Sequence, residues 1–399
     1  MAKKITIAAL KLHEKLSSHH APPHIIYWDS STSTSGGKYS TYPQRSATLI
    51  PWYLYNIVVF VVIFVCAAKF LDLLLSPWGT HIPIIEMGYW FAATILGVFV
   101  FGINTVFFNH ADEYAESLNG LIQFGKEIAI NIPKSKRKNH IDKCIGMLAI
   151  WTAISLNIIP FLVLIYQWLE GYDLSLWILK LVFGNNFEES LWLPFHVVLY
   201  IGRVAINLVW LTELYRTICV MCLIMILEPP IFFLCLEEFD KESLDYPVLR
   251  KYWKLCRIRN VNVKPCGHIT GISMGFCFVS TTITHVACIL YWDRLSGLML
   301  GYFIGVTVVM DSMLYTALPW VTKLYDMSST LIEKWRKENA GWSGRGTKRR
   351  YFGMLLKATR PIAFKAGNVG VLKDETKRSY FEALLSAFCD VALALKGIK

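Results

Sequence analysis

The chain has 399 residues, of which 54% are hydrophobic and only 17% charged, and its mean hydropathy is +0.42. Values of this kind exclude an ordinary soluble domain of the same length and point to an integral membrane protein. The formal net charge is +11. This excess is confined to particular loops, which points to membrane orientation rather than to nucleic acid as a partner.

The first segment, MAKKITIAALKLHEKLSSHH, sets Ile5, Leu10, Leu12 and Leu16 among lysines and histidines. No apolar run there is long enough for a signal peptide, so a short cytosolic or surface-lying helix is expected. Residues 30–48 follow as a Ser/Thr/Gly-rich flexible linker, which closes a cytosolic tail over 1–48. A membrane span needs about 20 apolar residues. Clear spans fall at 51–75, 83–108, 144–168, 267–292 and 298–321. Residues 191–236 form one longer apolar run, interrupted by Arg203, Glu213 and Arg216. As a helix this run is about 69 Å long, against a hydrocarbon core of about 30 Å, so it crosses twice or projects well out of the membrane.

Loop charge chooses between these. With a single crossing and the N-terminus inside, the inner loops 109–143 and 237–266 and the inner segment 322–375 hold most of the loop Lys and Arg, including Lys348, Arg349 and Arg350. The outer loops 76–82, 169–190 and 293–297 hold only Lys180 and Arg294. This is the positive-inside pattern. It gives an all-α polytopic membrane protein with seven transmembrane helices, a cytosolic N-terminus and an outer C-terminus. Residues 49–321 supply helices one to six, 322–375 an inner helical anchor, and 376–396 the seventh helix. Glu213 and Arg216, three apart, are expected to pair on the wall of the long fourth helix, with Pro229-Pro230 kinking or ending it. Within the anchor, separate helices are expected at 326–339 and 347–360, on either side of a glycine break. Gly301 and Gly305 form a Gly-x-x-x-Gly pair suited to close helix packing. Most of the ten cysteines lie in apolar segments, which argues against a disulfide framework, and Cys219-x-x-Cys222 reads as two small packing residues on a helix.

The final segment, SYFEALLSAFCDVALAL, carries Glu382 and Asp390 in a stretch otherwise fit for lipid. Each buried carboxylate costs about 2.5 to 3.5 kcal/mol on insertion scales. Glu382, Ser386 and Asp390 recur every four residues, with Ser379 beside them, so the polar positions form one stripe on a helix. Repeated by rotational symmetry, the stripe makes a wet lumen ringed with carboxylates, which favours cations. The plainer alternatives are that Lys377, Arg378 or the helix N-terminus neutralises Glu382, and that Asp390 is solvated at the outer end of the span. In the sixth span Asp311 has no basic residue within one turn; it serves either as a gating or ion-path group or as the partner of a charge across the bundle such as Arg203.

This order of features resembles the insect-type chemoreceptor superfamily of odorant and gustatory receptors. The resemblance rests on seven inverted spans, expanded inner loops and an ending of basic helix, Arg360-Pro361, Ala366-Gly367, a polar turn and a last span close to the terminus. The architecture covers the whole chain, whereas the sequence likeness is concentrated in residues 345–395. Ser379-Tyr380 begins like the Thr-Tyr start of the last gustatory helix, but the matching end lacks its Gln and places Phe388 one position late, which leaves the gustatory type modestly favoured. The resemblance implies a homo- or heterotetrameric ligand-gated cation channel of the plasma membrane, formed with or without a co-receptor. In it the pore is lined by Ser379, Glu382, Ser386 and Asp390, and a small tastant or odorant sits among the outer halves of the other helices. No cofactor is implied, and the partners are small molecules and membrane lipid.

Depth and residue type select Tyr89, Tyr166, His196, Tyr200, His285 and Tyr302 as ligand candidates, although Trp and Tyr also gather at interfaces for reasons unrelated to ligand. Other classes fit less well. An enzyme lacks the motifs for it: there is no His-x-x-x-His, Gly-x-Ser-x-Gly or phosphate loop, and the pairs His196 with Glu213 and His285 with Asp311 are only conceivable acid–base couples. A secondary transporter would repeat its halves, a G-protein-coupled receptor would have the opposite orientation, and an accessory membrane subunit would need no ligand site.

Overall fold

A computed structural model describes residues 2–17, 24–29, 38–43, 46–75, 84–130, 139–169, 176, 179–180, 183–184, 192–261, 263–293, 297–341, 346–367 and 370–396. Helix dominates. α1 spans Ala2–Ser17, and a hairpin of β1 (Ile26–Asp29) and β2 (Lys38–Thr41) follows. α2 covers Ile50–Leu75, α3 Ile84–Ile130, α4 Asn139–Leu169, α5 Leu193–Lys241, α6 Tyr246–Val261, α7 Val263–Leu290 and α8 Gly297–Gly341. The chain ends with α9 (Gly346–Ala358), a small hairpin of β3 (Lys365–Ala366) and β4 (Gly370–Val371), and α10 (Asp374–Lys396).

Four described helical stretches, at Ala47–Leu75, Glu86–Ile128, Pro194–Lys241 and Cys266–Leu290, are long and apolar enough to cross a membrane. The outward side chains of α2, among them Phe60 and Phe64, are exposed, as a lipid-facing helix requires when every backbone group is satisfied within the helix.

The chain divides into two compact units. The first comprises residues 1–109 and 139–224, the second 110–138 and 225–399. In the first unit α1 packs along α4 and touches β1. Ala9 and His13 are buried on its packed face. The segment read as a flexible linker also contains ordered structure. β2 pairs with β1 in antiparallel register, Ile26 opposite Thr41 and Asp29 opposite Lys38, and a 3-10 turn at Ala47–Leu49 leads into α2.

The second unit is built around fully buried Trp335, Tyr252, Phe239 and Phe232. The inner segments expected there are more continuous than the charge pattern suggests. α3 runs on to Ile130 and leaves helical geometry only at His110 (φ −135°, ψ 21°). α8 joins the expected span 298–321 and the expected separate helix 326–339 into one element, with Pro319 inside it. α5 likewise continues through Pro229 and Pro230. A proline removes one backbone donor, yet the packed faces of these helices continue on both sides of it.

Between α9 and β3 the backbone is held by side chains. Tyr252 Oη donates to the Arg360 carbonyl at 3.0 Å and Trp253 Nε1 to Thr359 Oγ1 at 2.9 Å. Ser328 Oγ donates to the Ile362 carbonyl at 3.1 Å and accepts from its N–H at 3.0 Å, while Arg259 Nε donates to the Ala363 carbonyl at 3.3 Å. The turn then rests on α7. Gly367, in the left-handed region at φ 52°, donates its N–H to the Gly267 carbonyl at 2.7 Å, and a Cβ on Gly271 would lie 3.2 Å from the Gly367 nitrogen. A close glycine approach therefore falls at Gly267 and Gly271, positions that the sequence did not single out. A Cβ on Gly301 would meet nothing within 4 Å, and the Gly305 side lies outside the described residues.

Candidate functional site

α10 packs on α7 and α8 through one face. Tyr380 Oη donates to the Met274 carbonyl at 2.9 Å, Phe381 stacks on Tyr315 at 5.3 Å, and Phe388 meets His285 edge-on at 6.2 Å. The α-helical period then turns Ser379, Glu382, Ser386 and Asp390 outward, and all four are exposed. Arg378 Nε lies 2.8 Å from Glu382 Oε1, and both side chains are well exposed. The outward arc is wider than the polar stripe, since Leu385, Val391 and Leu393 flank it and are exposed as well.

Asp311 on α8 has its partner on α7: His285 Nε2 lies 3.4 Å from Asp311 Oδ2, with each side chain about one-third exposed. The group shown facing Asp311 is thus His285, a pair that the sequence named only as a conceivable acid–base couple beside its suggestion of Arg203. His285 Nδ1 in turn donates to the Thr281 carbonyl at 2.8 Å. Arg203 is half-buried on α5.

In the first unit, Tyr89 Oη accepts from Gln167 Nε2 at 2.6 Å, and Gln167 is buried with its Oε1 unpartnered. Trp90 Nε1 donates to Glu86 Oε1 at 3.3 Å, and Lys69 lies 3.9 Å from the same carboxylate. Tyr200 packs against Trp168 with ring centroids 4.9 Å apart, while His196, one turn earlier, is half-buried. The end of α2, the start of α3, the end of α4 and the start of α5 thus gather Tyr89, Gln167, Trp168 and Tyr200 at one level of the unit. His285 belongs to the second unit. The side chains of Tyr166 and Tyr302 lie outside the described residues.

A second polar group sits farther along the same helices. Glu213 accepts from Trp52 Nε1 and Asn104 Nδ2, each at 3.1 Å, and pairs with Arg216. Asn104 also donates to Asn56 Oδ1 at 2.7 Å and accepts from Thr217 Oγ1 at 2.9 Å. Sequence spacing identifies the Glu213–Arg216 pair, but nothing in local spacing links it to Trp52 or Asn104, which are distant in the chain. In the second unit the structure adds Glu228, whose Oε1 lies 2.9 Å from Arg259 Nη1, and the Arg259 guanidinium lies 3.9 Å from the centroid of the Phe364 ring. The only local hint is an acidic residue directly before Pro229-Pro230. Among the described residues no cluster of His, Cys, Asp and Glu is suited to a metal ion.

Long apolar helices continued into polar helical segments define a helical polytopic membrane protein. Its fold is that of the insect olfactory receptor OR5 from Machilis hrabei. The chain matches the structure of that receptor in complex with eugenol at a TM-score of 0.62 and 12% identity, over 99% of each chain. It matches a second structure of the same receptor at a TM-score of 0.59 and 12% identity, over 96% of each chain. No protein family profile and no curated protein matches the sequence.

Proposed function

We propose that this protein is a chemosensory receptor of the insect odorant and gustatory type, a cation channel of the plasma membrane opened by a small molecule. The observation that carries this reading is the likeness of fold to an olfactory receptor over 99% of both chains. In this reading the chain spans seven times with its N-terminus in the cytosol, and four copies, or this chain with a co-receptor, surround one pore. α10 lines it. A polar stripe flanked by exposed Leu385, Val391 and Leu393 suits a helix that packs against its copies and leaves Ser379, Glu382, Ser386 and Asp390 toward water. His285, which meets Phe388 of α10 edge-on and pairs with Asp311, is in position to relay a change in the helices to the pore. Arg203 on α5 is a further candidate for such a relay.

The ligand site in this reading is the level of the first unit holding Tyr89, Trp168 and Tyr200, with His196 nearby and Tyr166 a further candidate; Tyr302 and His285 are separate candidates in the second unit. Aromatic walls with few polar groups suit a small organic molecule, and one OR5 structure is a complex with such a molecule, eugenol.

The test is electrical. Cells expressing the protein, alone and with a co-receptor, are expected to pass cation current when challenged with a panel of volatile and soluble organics that includes eugenol. Asp390→Asn should then lower the permeability of cations relative to anions, seen as a shift of reversal potential in dilution experiments; an unchanged potential removes Asp390 from the pore. An epitope fused to the C-terminus should stain on intact cells, and staining only after permeabilisation would refute the orientation.

A further inference from the structure

The N-terminal segment buries two histidines in the first unit, and neither belongs to the sites above. His13 on α1 is 6% exposed, with its Nδ1 3.2 Å from Asn157 Nδ2 and 3.3 Å from Cys219 Sγ. His24, at the mouth of the β1–β2 hairpin, is also 6% exposed. Its ring stands edge-on to Trp52 of α2 and Phe107 of α3, at 5.8 and 5.5 Å. Nδ1 is engaged with the Ile26 backbone, 3.2 Å from its N–H and 3.1 Å from its carbonyl. Nε2 is buried with no hydrogen-bond partner.

We propose that the N-terminal segment is an acid-released latch, in which His24 wedges the β1–β2 hairpin between Trp52 and Phe107 only while its ring is neutral. A neutral ring carries one N–H, and its contact with the Ile26 backbone at Nδ1 is met whichever tautomer it adopts. A protonated ring carries N–H on both nitrogens. The Ile26 carbonyl can take the first, but Nε2 is buried and unpartnered, and the added charge is buried with it.

The surrounding charges do not relieve this. α5 presents Arg216 and Glu213, and Glu213 is already engaged with Arg216, Trp52 and Asn104. α1 presents His13, a second potential cation, and α2 contributes the indole of Trp52; Asn104 of α3 and the Ile26 backbone favour the protonated ring by hydrogen bonding, but burial and Arg216 outweigh them. Within the hairpin, Asp29 is opposite Lys38. Burial, followed by repulsion from Arg216, lowers the His24 pKa to about 3 from the ordinary 6.5. The sign follows from linkage. A group whose docked pKa lies below its free value favours the docked state in full above the free pKa, so the docking equilibrium falls by about tenfold per pH unit below about 6.5.

The latch is independent of the channel reading, and its test records no current. In full-length protein in lipid nanodiscs, amide hydrogen exchange of residues 25–29 and 39–42 is measured at pH 7.5 and 5.5 and corrected for the intrinsic pH dependence of exchange. The expected result is about a tenfold loss of protection at pH 5.5 in the wild type. His24→Asn, which can still accept from the Ile26 N–H as an Asx turn, should keep its pH 7.5 protection at pH 5.5. If that variant does not dock at pH 7.5, His24→Phe preserves the ring contacts and should be equally acid-insensitive. Unchanged protection in the wild type, an equal acid loss in the docked His24 variant, or a loss abolished only by His13→Gln would each overturn the proposal.

Discussion

Glu213 is fully buried and its partner Arg216 is 4% exposed. Removing both charges from water costs several kcal/mol per ion before their attraction is counted, so the pair contributes less to stability than its contacts suggest. The asymmetry appears when only one charge is removed. Glu213→Gln leaves Arg216 buried without its counter-charge, and Trp52 and Asn104 lose an anionic acceptor, so a destabilisation of about 3–5 kcal/mol is expected. Thermal unfolding of the detergent-solubilised protein measures it. The double change Glu213→Gln with Arg216→Met should recover much of the loss, because it removes both buried charges. If the double variant is no more stable than the single one, the pair is not acting as a unit.

At the scale of elements, the stretch from Thr359 to Gly367 has little regular structure, yet it is closely held. Ser328, Tyr252, Trp253 and Arg259 bind its backbone, and Gly271 allows it to lie against α7. Gly271→Val would push a branched side chain into the Gly367 backbone, where neither side is a flexible side chain that can yield. Overpacking of this kind costs about 1–3 kcal/mol. The expected outcome is a lower melting temperature with fold retained, whereas Gly301→Val, placed in open space, should leave it unchanged. The sequence already marked Arg360-Pro361 and Ala366-Gly367 as distinctive. What it hid was their partners, because Ser328 and Tyr252 are distant in the chain and carry no local pattern. The same reason explains the helix boundaries. Charge ends a membrane span but does not end a helix, so α3, α5 and α8 run on where composition alone suggests a loop or a new element.

For the whole molecule, hydropathy and loop charge made the helical membrane class legible, since both follow from the cost of burying polar groups in lipid. The period of the last helix likewise put Ser379, Glu382, Ser386 and Asp390 on one face, and all four are exposed in α10. The Glu213 network was legible only as a pair, and Glu228 with Arg259 only as an acidic residue before Pro229-Pro230, because long-range polar contacts leave no periodic trace. Whether the outward face of α10 meets water or lipid in the assembled protein is the question on which the channel reading depends, and Cys389 offers a native probe. It is an exposed cysteine next to Asp390. A thiolate is the reactive species, and thiols deprotonate only in contact with water. In a water-filled lumen, a cationic methanethiosulfonate at pH 8 should therefore modify Cys389 and reduce the ligand-evoked current, faster when the channel is held open. Cys256 supplies the internal contrast, since burial pushes its thiol up to about 12 and leaves it protonated at that pH. Cys389→Ser should abolish the effect on current. No modification of Cys389 in protein that still responds to ligand would place this face of α10 against lipid or another chain, and the carboxylates of the last helix would then need a role other than lining a pore.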